Sequence, residues 1–290
     1  MNWLLSGAVF LPFVAALLHP ALAWLFQKGE KNGLPMSVTV GVSNLATVSL
    51  FVCYLRPNWS APWCWLDGLA LTNGVFFFLG QWFSVQAVKS GDLVVHSSAL
   101  GIKLLLVAGL SLAIGLEEGN LQLLIAVALA AVAIFLLAGG NLRGWQKHRA
   151  TLGWTIVGTV FFGIGDVLTS WQASELGMAR WLILMMTGSG CCAIITLSPK
   201  RKKLTHALRQ SQLRWLLLGL GLLMGTQAVL INSAFAIFKE PTVSNIVFSI
   251  RGLLAIPFLM LIQQKMKGVV SLKSLAGACL MLFALILAVL

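Results

Sequence analysis

The sequence predicts an all-α polytopic membrane protein, with ten transmembrane helices arranged as two inverted five-helix repeats. The first observation behind this prediction is composition: of 290 residues, 59% are hydrophobic and only 10% are charged. The mean hydropathy of +0.92 excludes an ordinary soluble domain. The second is a series of long apolar runs, and the third is an internal repeat that pairs two buried cations. Long apolar runs form helices because each backbone polar group in lipid needs a partner within its own segment.

The apolar runs are each close to the roughly 20 residues that cross the hydrocarbon core of a bilayer. Short segments with turn and breaker residues, such as GEKNGLP, RPNWSAP and FKEPT, separate them. The first run lacks a preceding basic region, so it is interpreted as a retained helix and not as a cleaved signal. The ten predicted spans lie near 3–26, 36–55, 66–87, 93–115, 121–141, 152–173, 180–197, 215–237, 242–262 and 272–290.

A repeat is visible at an offset of 148 residues, where Lys103 pairs with Arg251 and Asp92 pairs with Glu240. The paired cations are the informative part, since Leu and Ala matches are frequent in apolar sequence. Because each repeat contains an odd number of spans, the second copy enters the membrane from the opposite side, as in many secondary transporters. We predict a first repeat over 1–145 and a second over 146–290, within one integral membrane domain.

The basic residues predict the orientation. Fifteen of the 20 Lys and Arg residues follow odd-numbered spans, three follow even-numbered spans, and the remaining two are Lys103 and Arg251. Because Lys and Arg are enriched in cytoplasmic loops, the loops after odd-numbered spans are predicted to be cytoplasmic and both termini outside. The formal net charge of +12 is therefore attributed to topology. A multi-pass protein of the cell membrane is expected, and nucleic-acid binding is not.

Lys103 and Arg251 are the leading candidates for a substrate site, because charges at membrane depth are costly and usually mark a solute or ion path. Both lie about ten residues into their predicted spans. Asp166, in the sixth span, is the carboxylate deep in a span, and one acid cannot neutralise two cations. It is a candidate either for a structural ion pair or for taking up a coupling proton.

His19 precedes Pro20 in the first span, where the missing backbone donor of proline kinks a helix. It is a candidate cavity residue, with a hydrogen bond to a carbonyl as the alternative. His96, seven residues before Lys103 in the fourth span, is a weaker candidate on the same helix face. Uncharged polar side chains inside spans either join neighbouring helices or face the cavity. The candidates of this kind, with one neighbouring tryptophan, are Asn73, Gln81, Trp82, Gln227 and Asn232.

Several local motifs make the chain similar to a known superfamily. The third span ends in AVKSGD, the fourth contains SSALGIKLLL, an acidic GLEE turn follows, and an alanine-rich fifth span ends in AGG. These features resemble the drug/metabolite transporter superfamily, in particular its ten-helix EamA-like branch. The resemblance implies two inverted halves around a central cavity, with alternating access and cavity-lining third and eighth helices. The similar plant organic-phosphate translocators hold phosphate with cations on the fourth and ninth helices, which correspond to the positions of Lys103 and Arg251.

The function expected is secondary transport of a small organic solute with an anionic group, such as an amino acid, a carboxylate or an organic phosphate. The expected partners are that solute, the bilayer and a coupling proton, and the chain is expected to be a monomer. An exporter of cationic or amphipathic compounds is the alternative within the class, and it requires Asp166 to be free. A membrane enzyme acting on a lipid-linked phosphate and a simple pore are alternatives from other classes.

Enzymatic activity is not expected from this sequence. Nucleotide-binding loops and the HExxH and GxSxG motifs are absent from it. The five cysteines show neither a disulfide framework nor metal-ligand spacing, so no metal or other cofactor is expected.

Overall fold

The structure is a computed structural model that describes residues 7–89, 95–96, 99–138, 149–254, 258 and 272–289. These residues form helices joined by short connections, without any β-strand in the described part of the chain, so the all-helical prediction is confirmed there. The α-helices are α1 (Gly7–Lys31), α2 (Met36–Tyr54), α3 (Trp65–Lys89), α4 (Ile102–Ala113), α5 (Leu121–Leu137), α6 (Arg149–Leu176), α7 (Met178–Leu197), α8 (Arg201–Arg209), α9 (Ser211–Phe238), α10 (Pro241–Ser249) and α11 (Leu272–Val289).

Within the described residues, six helical segments are long and apolar enough to cross a membrane by length and composition. They are α1, α2, α3, α6, α9 and the segment Met178–Arg209, which comprises α7 and α8. The apolar helices α4 and α5 are shorter, and α10 has nine residues. The beginning of the predicted fourth span, the end of the ninth and Asp92 lie outside the described residues. Helix α8 was not among the predicted helices, because only a connection was expected between the spans that end at 197 and begin at 215.

Helix boundaries follow from residues with restricted or unusual backbone angles. Gly177, with φ of 89°, separates α6 from α7, and α9 ends at Lys239, which has φ of 56°. Pro241 occupies the first turn of α10. Proline is tolerated there because backbone N–H groups in the first turn have no acceptor within the helix. The side chain of Asn120 caps α5 by accepting a hydrogen bond from the N–H of Leu123 at 2.6 Å.

Most helices pack against partners that lie far away along the chain. Helix α3 contacts α6 and α7, and in the same way α9 contacts α1 and α2. Helix α4 contacts α6 as α10 contacts α1, and α5 packs along α11. These contacts form two main apolar clusters, one around α3 and α7 and the other among α4, α5, α10 and α11.

Glycines allow the closest helix crossings. A Cβ on Gly74 of α3 would lie 1.8 Å from the carbonyl oxygen of Met185, and one on Gly188 of α7 would lie 2.2 Å from that of Leu71. Two glycines of α9 act in the same way, since a Cβ on Gly221 or Gly225 would clash with side chains of α2. Small residues at these positions let backbones approach, as at many helix interfaces in membranes.

Candidate functional site

A tightened, three-residue helical turn lies at each of the two predicted cations. The N–H of Lys103 bonds to the carbonyl of Leu100 at 3.0 Å, a three-residue turn that precedes α4. The N–H of Ile250 bonds to the carbonyl of Val247 at 3.1 Å, immediately before Arg251. The backbone angles at the two breaks are close, with φ −58° and ψ −28° at Gly101 and φ −57° and ψ −20° at Ile250. Tightened turns of this kind within a helix often mark a functional hinge.

Lys103 forms an ion pair with the carboxylate that the sequence reading singled out. Its Nζ lies 2.6 Å from Oδ2 of Asp166 on α6, with side-chain exposures of 15% and 11%. The same ammonium lies 5.6 Å from the centroid of the Phe162 ring, one turn earlier on α6. The carboxylate of Asp166 therefore neutralises Lys103. A structural ion pair of this kind is one of the two roles predicted for Asp166 from the sequence.

Asp166 also contacts α10. Nδ2 of Asn245 donates to Oδ2 of Asp166 at 2.9 Å and to the carbonyl of Pro241 at 2.8 Å. Asp166 thus joins α6 to both of the short helices, α4 and α10. The sequence reading missed Asn245, although it stands six residues before Arg251 in the same predicted span. Burying an uncharged amide in a membrane span costs much less free energy than burying a charge, so such a residue is a weaker signal of a functional site.

Arg251 differs from Lys103 in its surroundings. Its guanidinium carbon lies 4.3 Å from the centroid of the Phe248 ring, three residues earlier. Among the described residues, no carboxylate lies within salt-bridge distance of Arg251. It interacts electrostatically with Asp166, His19 and His96, so the site unites groups from both halves of the chain. Two cations face one carboxylate in this part of the structure, which leaves one positive charge in excess.

The two histidines make contacts with neighbouring helices. The ring of His19 packs edge-on against Phe248 with 6.1 Å between ring centroids, and its Nδ1 lies 3.3 Å from Nε2 of Gln227. Gln227 also donates to the carbonyl of Ala15 at 2.8 Å, which ties α9 to α1. Nδ1 of His96 lies 2.8 Å from the hydroxyl of Thr155 on α6.

Four other predicted site residues lie elsewhere. Asn73 donates to the carbonyl of Gly165 at 3.2 Å and to the Thr169 hydroxyl at 2.9 Å, so it joins α3 to α6. The Asn232 amide bonds to a carbonyl of its own helix. Gln81 accepts a hydrogen bond from Asn44 of α2 at 2.6 Å, and Trp82 stacks on Phe78 of α3. The contacts of Asn73 and Gln81 correspond to the helix-joining alternative for uncharged polar residues, whereas those of Asn232 and Trp82 lie within their own helices.

A second polar contact joins the turn between α4 and α5 to the start of α10. Glu117, in the turn between α4 and α5, accepts the N–H of Thr242 at 3.0 Å, and its other oxygen accepts the hydroxyl of Thr242. The carboxylate therefore caps the start of α10, where the helix dipole favours negative charge. A cavity of about 430 Å³ adjoins it and is also lined by Glu118 and Glu240.

This capping carboxylate predicts a pH effect on stability. Burial raises the pKa of Glu117, and the nearby Glu240 adds to the rise, so the folded state binds the proton more tightly than the unfolded chain. The free energy of unfolding then falls as pH rises from about 4.3, the ordinary carboxyl value, through the folded pKa. Glu117→Gln is expected to flatten this fall, measured as the thermal unfolding midpoint of purified protein across that pH range. Glu118→Gln, at an exposed position, is the matched control, and equal pH slopes for wild type and Glu117→Gln contradict the prediction.

In the described part of the chain, no three His, Cys, Asp or Glu side chains are grouped so that they could hold a metal ion. The site consists of charged side chains, side-chain amides and aromatic rings. Such a set can bind a small polar molecule by hydrogen bonds and ion pairs.

Comparison with known proteins establishes the fold and not the function. No family model matches the sequence, and no curated protein matches it. Among solved structures, one described only as a crystal structure of a protein superposes with a TM-score of 0.70 at 14% sequence identity. The match covers 98% of this chain and 97% of that chain. The two proteins share a fold over almost their entire lengths, and at this identity the likeness extends no further.

Proposed function

We propose that this protein is a secondary transporter for a small organic solute with an anionic group. One observation supports the proposal most directly. Asp166 neutralises Lys103 at 2.6 Å, whereas the described structure offers Arg251 no carboxylate at salt-bridge distance. A guanidinium held over Phe248 presents a planar fork that suits a carboxylate or phosphate. The solute's anionic group is proposed to bind Arg251, with Gln227 and His19 beside it.

The proposed architecture is ten spans in two inverted repeats, as in the EamA-like branch of the drug/metabolite transporter superfamily. The paired helix contacts support it, because exchanging each helix of one half for its counterpart in the other reproduces the main packing pairs. The three-residue turns next to Lys103 and Arg251 also support it. Discontinuous helices at the repeat interface are a common feature of transporter binding sites.

The proposed mechanism is rocking of one repeat against the other around this site. Asp166 touches both broken segments, through Lys103 and Asn245, so the charge on its carboxylate influences how the segments are held. We propose that Asp166 takes up the coupling proton when the ion pair opens. The basic loops after odd-numbered spans are proposed to be cytoplasmic, with both termini outside.

A ligand-binding experiment tests the Arg251 assignment. Purified protein is titrated with small carboxylates, organic phosphates and amino acids, each beside a neutral amide or alcohol of the same shape, and the unfolding midpoint is recorded. Ligand at 100 times its Kd stabilises a folded protein by about 2.7 kcal/mol. We expect anionic compounds to raise the midpoint of the wild type, Arg251→Ala to lose the response, and Arg251→Lys to retain part of it.

Lys103→Ala is the second variant, because it frees Asp166 without removing Arg251. It is expected to weaken ligand binding less than Arg251→Ala does. A compound that stabilises the wild type and both alanine variants alike contradicts the proposed site.

The same purified protein in liposomes distinguishes the other function classes. Saturable flux supports a transporter, non-saturating flux a pore, and turnover of a lipid substrate without solute movement an enzyme. The exporter of cationic compounds is less favoured, because it needs a free carboxylate and Asp166 is bonded to Lys103 and Asn245.

A further inference from the structure

Helix α8 is a short basic helix between two long apolar helices, α7 and α9. It follows α7 through a short 3₁₀ turn over Ser198–Lys200, and α9 begins two residues after it ends. A 20-residue helix such as α7 rises about 30 Å, which is the thickness of the hydrocarbon core. If α7 alone crosses the core, it has left the core before α8 begins, and the nine residues of α8 then lie among the lipid headgroups.

Packing determines which side of α8 faces away from the protein. Ala207 is fully buried in a cluster with Leu213, Leu216 and Leu220 of α9 and Leu22 of α1. Residues three and four apart lie on one side of a helix, so burial of Ala207 sets the rotation of α8. The opposite side is polar and exposed.

That exposed side forms a basic groove. A cavity of about 450 Å³ is lined by Arg201, Lys202, Thr205, His206 and Arg209. Spacings of four and eight residues place Arg201, Thr205 and Arg209 in one row. The amide of Gln210 lies 2.9 Å from Nε2 of His206. Residues 198–214 contain no Asp or Glu, so no carboxylate within this segment neutralises the groove.

We propose that this groove is a binding site for the phosphate of an anionic phospholipid headgroup. Arginine and lysine side chains form charge-assisted hydrogen bonds with phosphate oxygens, and clusters of them next to a membrane bind anionic lipids. Headgroup phosphates are permanently present at the depth of α8. The three cations of the groove are not needed to orient the protein in the membrane, because the same loop contains the basic residues Lys200, Lys203 and Arg214 outside the groove.

The test uses the full chain in lipid nanodiscs. The unfolding midpoint is measured as phosphatidylglycerol replaces phosphatidylcholine, for wild type, for Lys202→Gln/Arg209→Gln, and for Lys89→Gln/Arg149→Gln. The control pair removes the same charge from exposed positions outside the groove. We expect wild type and control to be stabilised by the anionic lipid, and the groove variant to need about tenfold more of it for half the shift, equivalent to about 1.4 kcal/mol.

Three results overturn the proposal. One is a groove variant that responds to phosphatidylglycerol as the control does, which indicates a non-specific charge effect. Another is a wild-type unfolding midpoint that stays the same when phosphatidylglycerol replaces phosphatidylcholine. The third is that inorganic phosphate, added to protein in phosphatidylcholine nanodiscs, reproduces the whole shift, which assigns the groove to a soluble anion and not to a lipid.

Discussion

Replacing Arg180 by alanine is expected to lower the free energy of unfolding by about 3 to 5 kcal/mol, because it leaves a carboxylate buried without its cation. Arg180, at the start of α7, donates to Asp67 of α3 through Nε at 2.7 Å and Nη2 at 2.9 Å. The side chain of Asp67 is 0% exposed and that of Arg180 4% exposed. This bidentate geometry is the strongest form of an arginine–carboxylate pair.

Arg180 also orders the connection between α2 and α3. Its Nη1 donates to the carbonyl of Ala61 at 3.1 Å and its Nη2 to that of Pro62 at 3.2 Å. The rings of Trp59 and Trp63 each lie 5.9 Å from the guanidinium carbon. Loss of Arg180 therefore removes the partner of Asp67 and four contacts to the connection together.

The measurement is denaturant unfolding of purified protein in detergent. Arg56→Ala, exposed in the same connection, removes an equal charge and is expected to change stability by less than about 0.5 kcal/mol. The double variant Asp67→Leu/Arg180→Met removes both charges and should be more stable than Arg180→Ala, since no unpaired carboxylate remains. If Arg180→Ala unfolds at the same denaturant concentration as wild type, the buried pair does not stabilise this fold.

Replacing Asp166 by asparagine is expected to lower the transport rate by about 10- to 100-fold, the range that corresponds to 1.4 to 2.8 kcal/mol. Asparagine keeps the size of the side chain, and its oxygen can still accept from Asn245. It cannot neutralise Lys103, which then competes with Arg251 for the anionic solute. The variant also lacks an ionisable group, so the pH dependence of transport should disappear with it.

The measurement is uptake into liposomes at several external pH values, with Asn245→Ala for comparison. Asn245→Ala removes one hydrogen bond to Asp166 but keeps the titratable carboxylate, so it should lower the rate and keep the pH dependence. An Asp166→Asn variant with unaltered pH dependence rules out Asp166 as the coupling site.

The sequence was most informative where a residue type conflicted with its surroundings. Lys103, Asp166 and Arg251 were recognisable because an ionised group in an apolar run is costly and needs a partner. The sequence could not distinguish Gln227, which lies beside His19, from the candidates that lie elsewhere, because hydropathy identifies a helix but not the side that faces its neighbours. Those candidates are Asn73, Gln81, Trp82 and Asn232. That rotation is set by packing, including the glycine contacts of α3 with α7.

Two further features show the same limit. The Arg180–Asp67 pair joins positions 113 residues apart, and both lie near predicted span ends where charges are common. Helix α8 is rich in charge and nine residues long, so a search for long apolar runs passes over it. Its amphipathic pattern is a signal that a search for period 3.6 in short segments could detect.

The excess positive charge beside Asp166 has an electrical consequence. Moving one elementary charge through the whole membrane potential changes the free energy by about 2.3 kcal/mol per 100 mV. A site with two cations and one carboxylate is charged when empty and neutral when a monoanion occupies it. For the proposed carrier, membrane voltage would therefore act on the empty site and not on a site that holds the monoanion alone. Uptake of the coupling proton by Asp166 would restore one positive charge to the loaded site, and voltage would then act on that step as well.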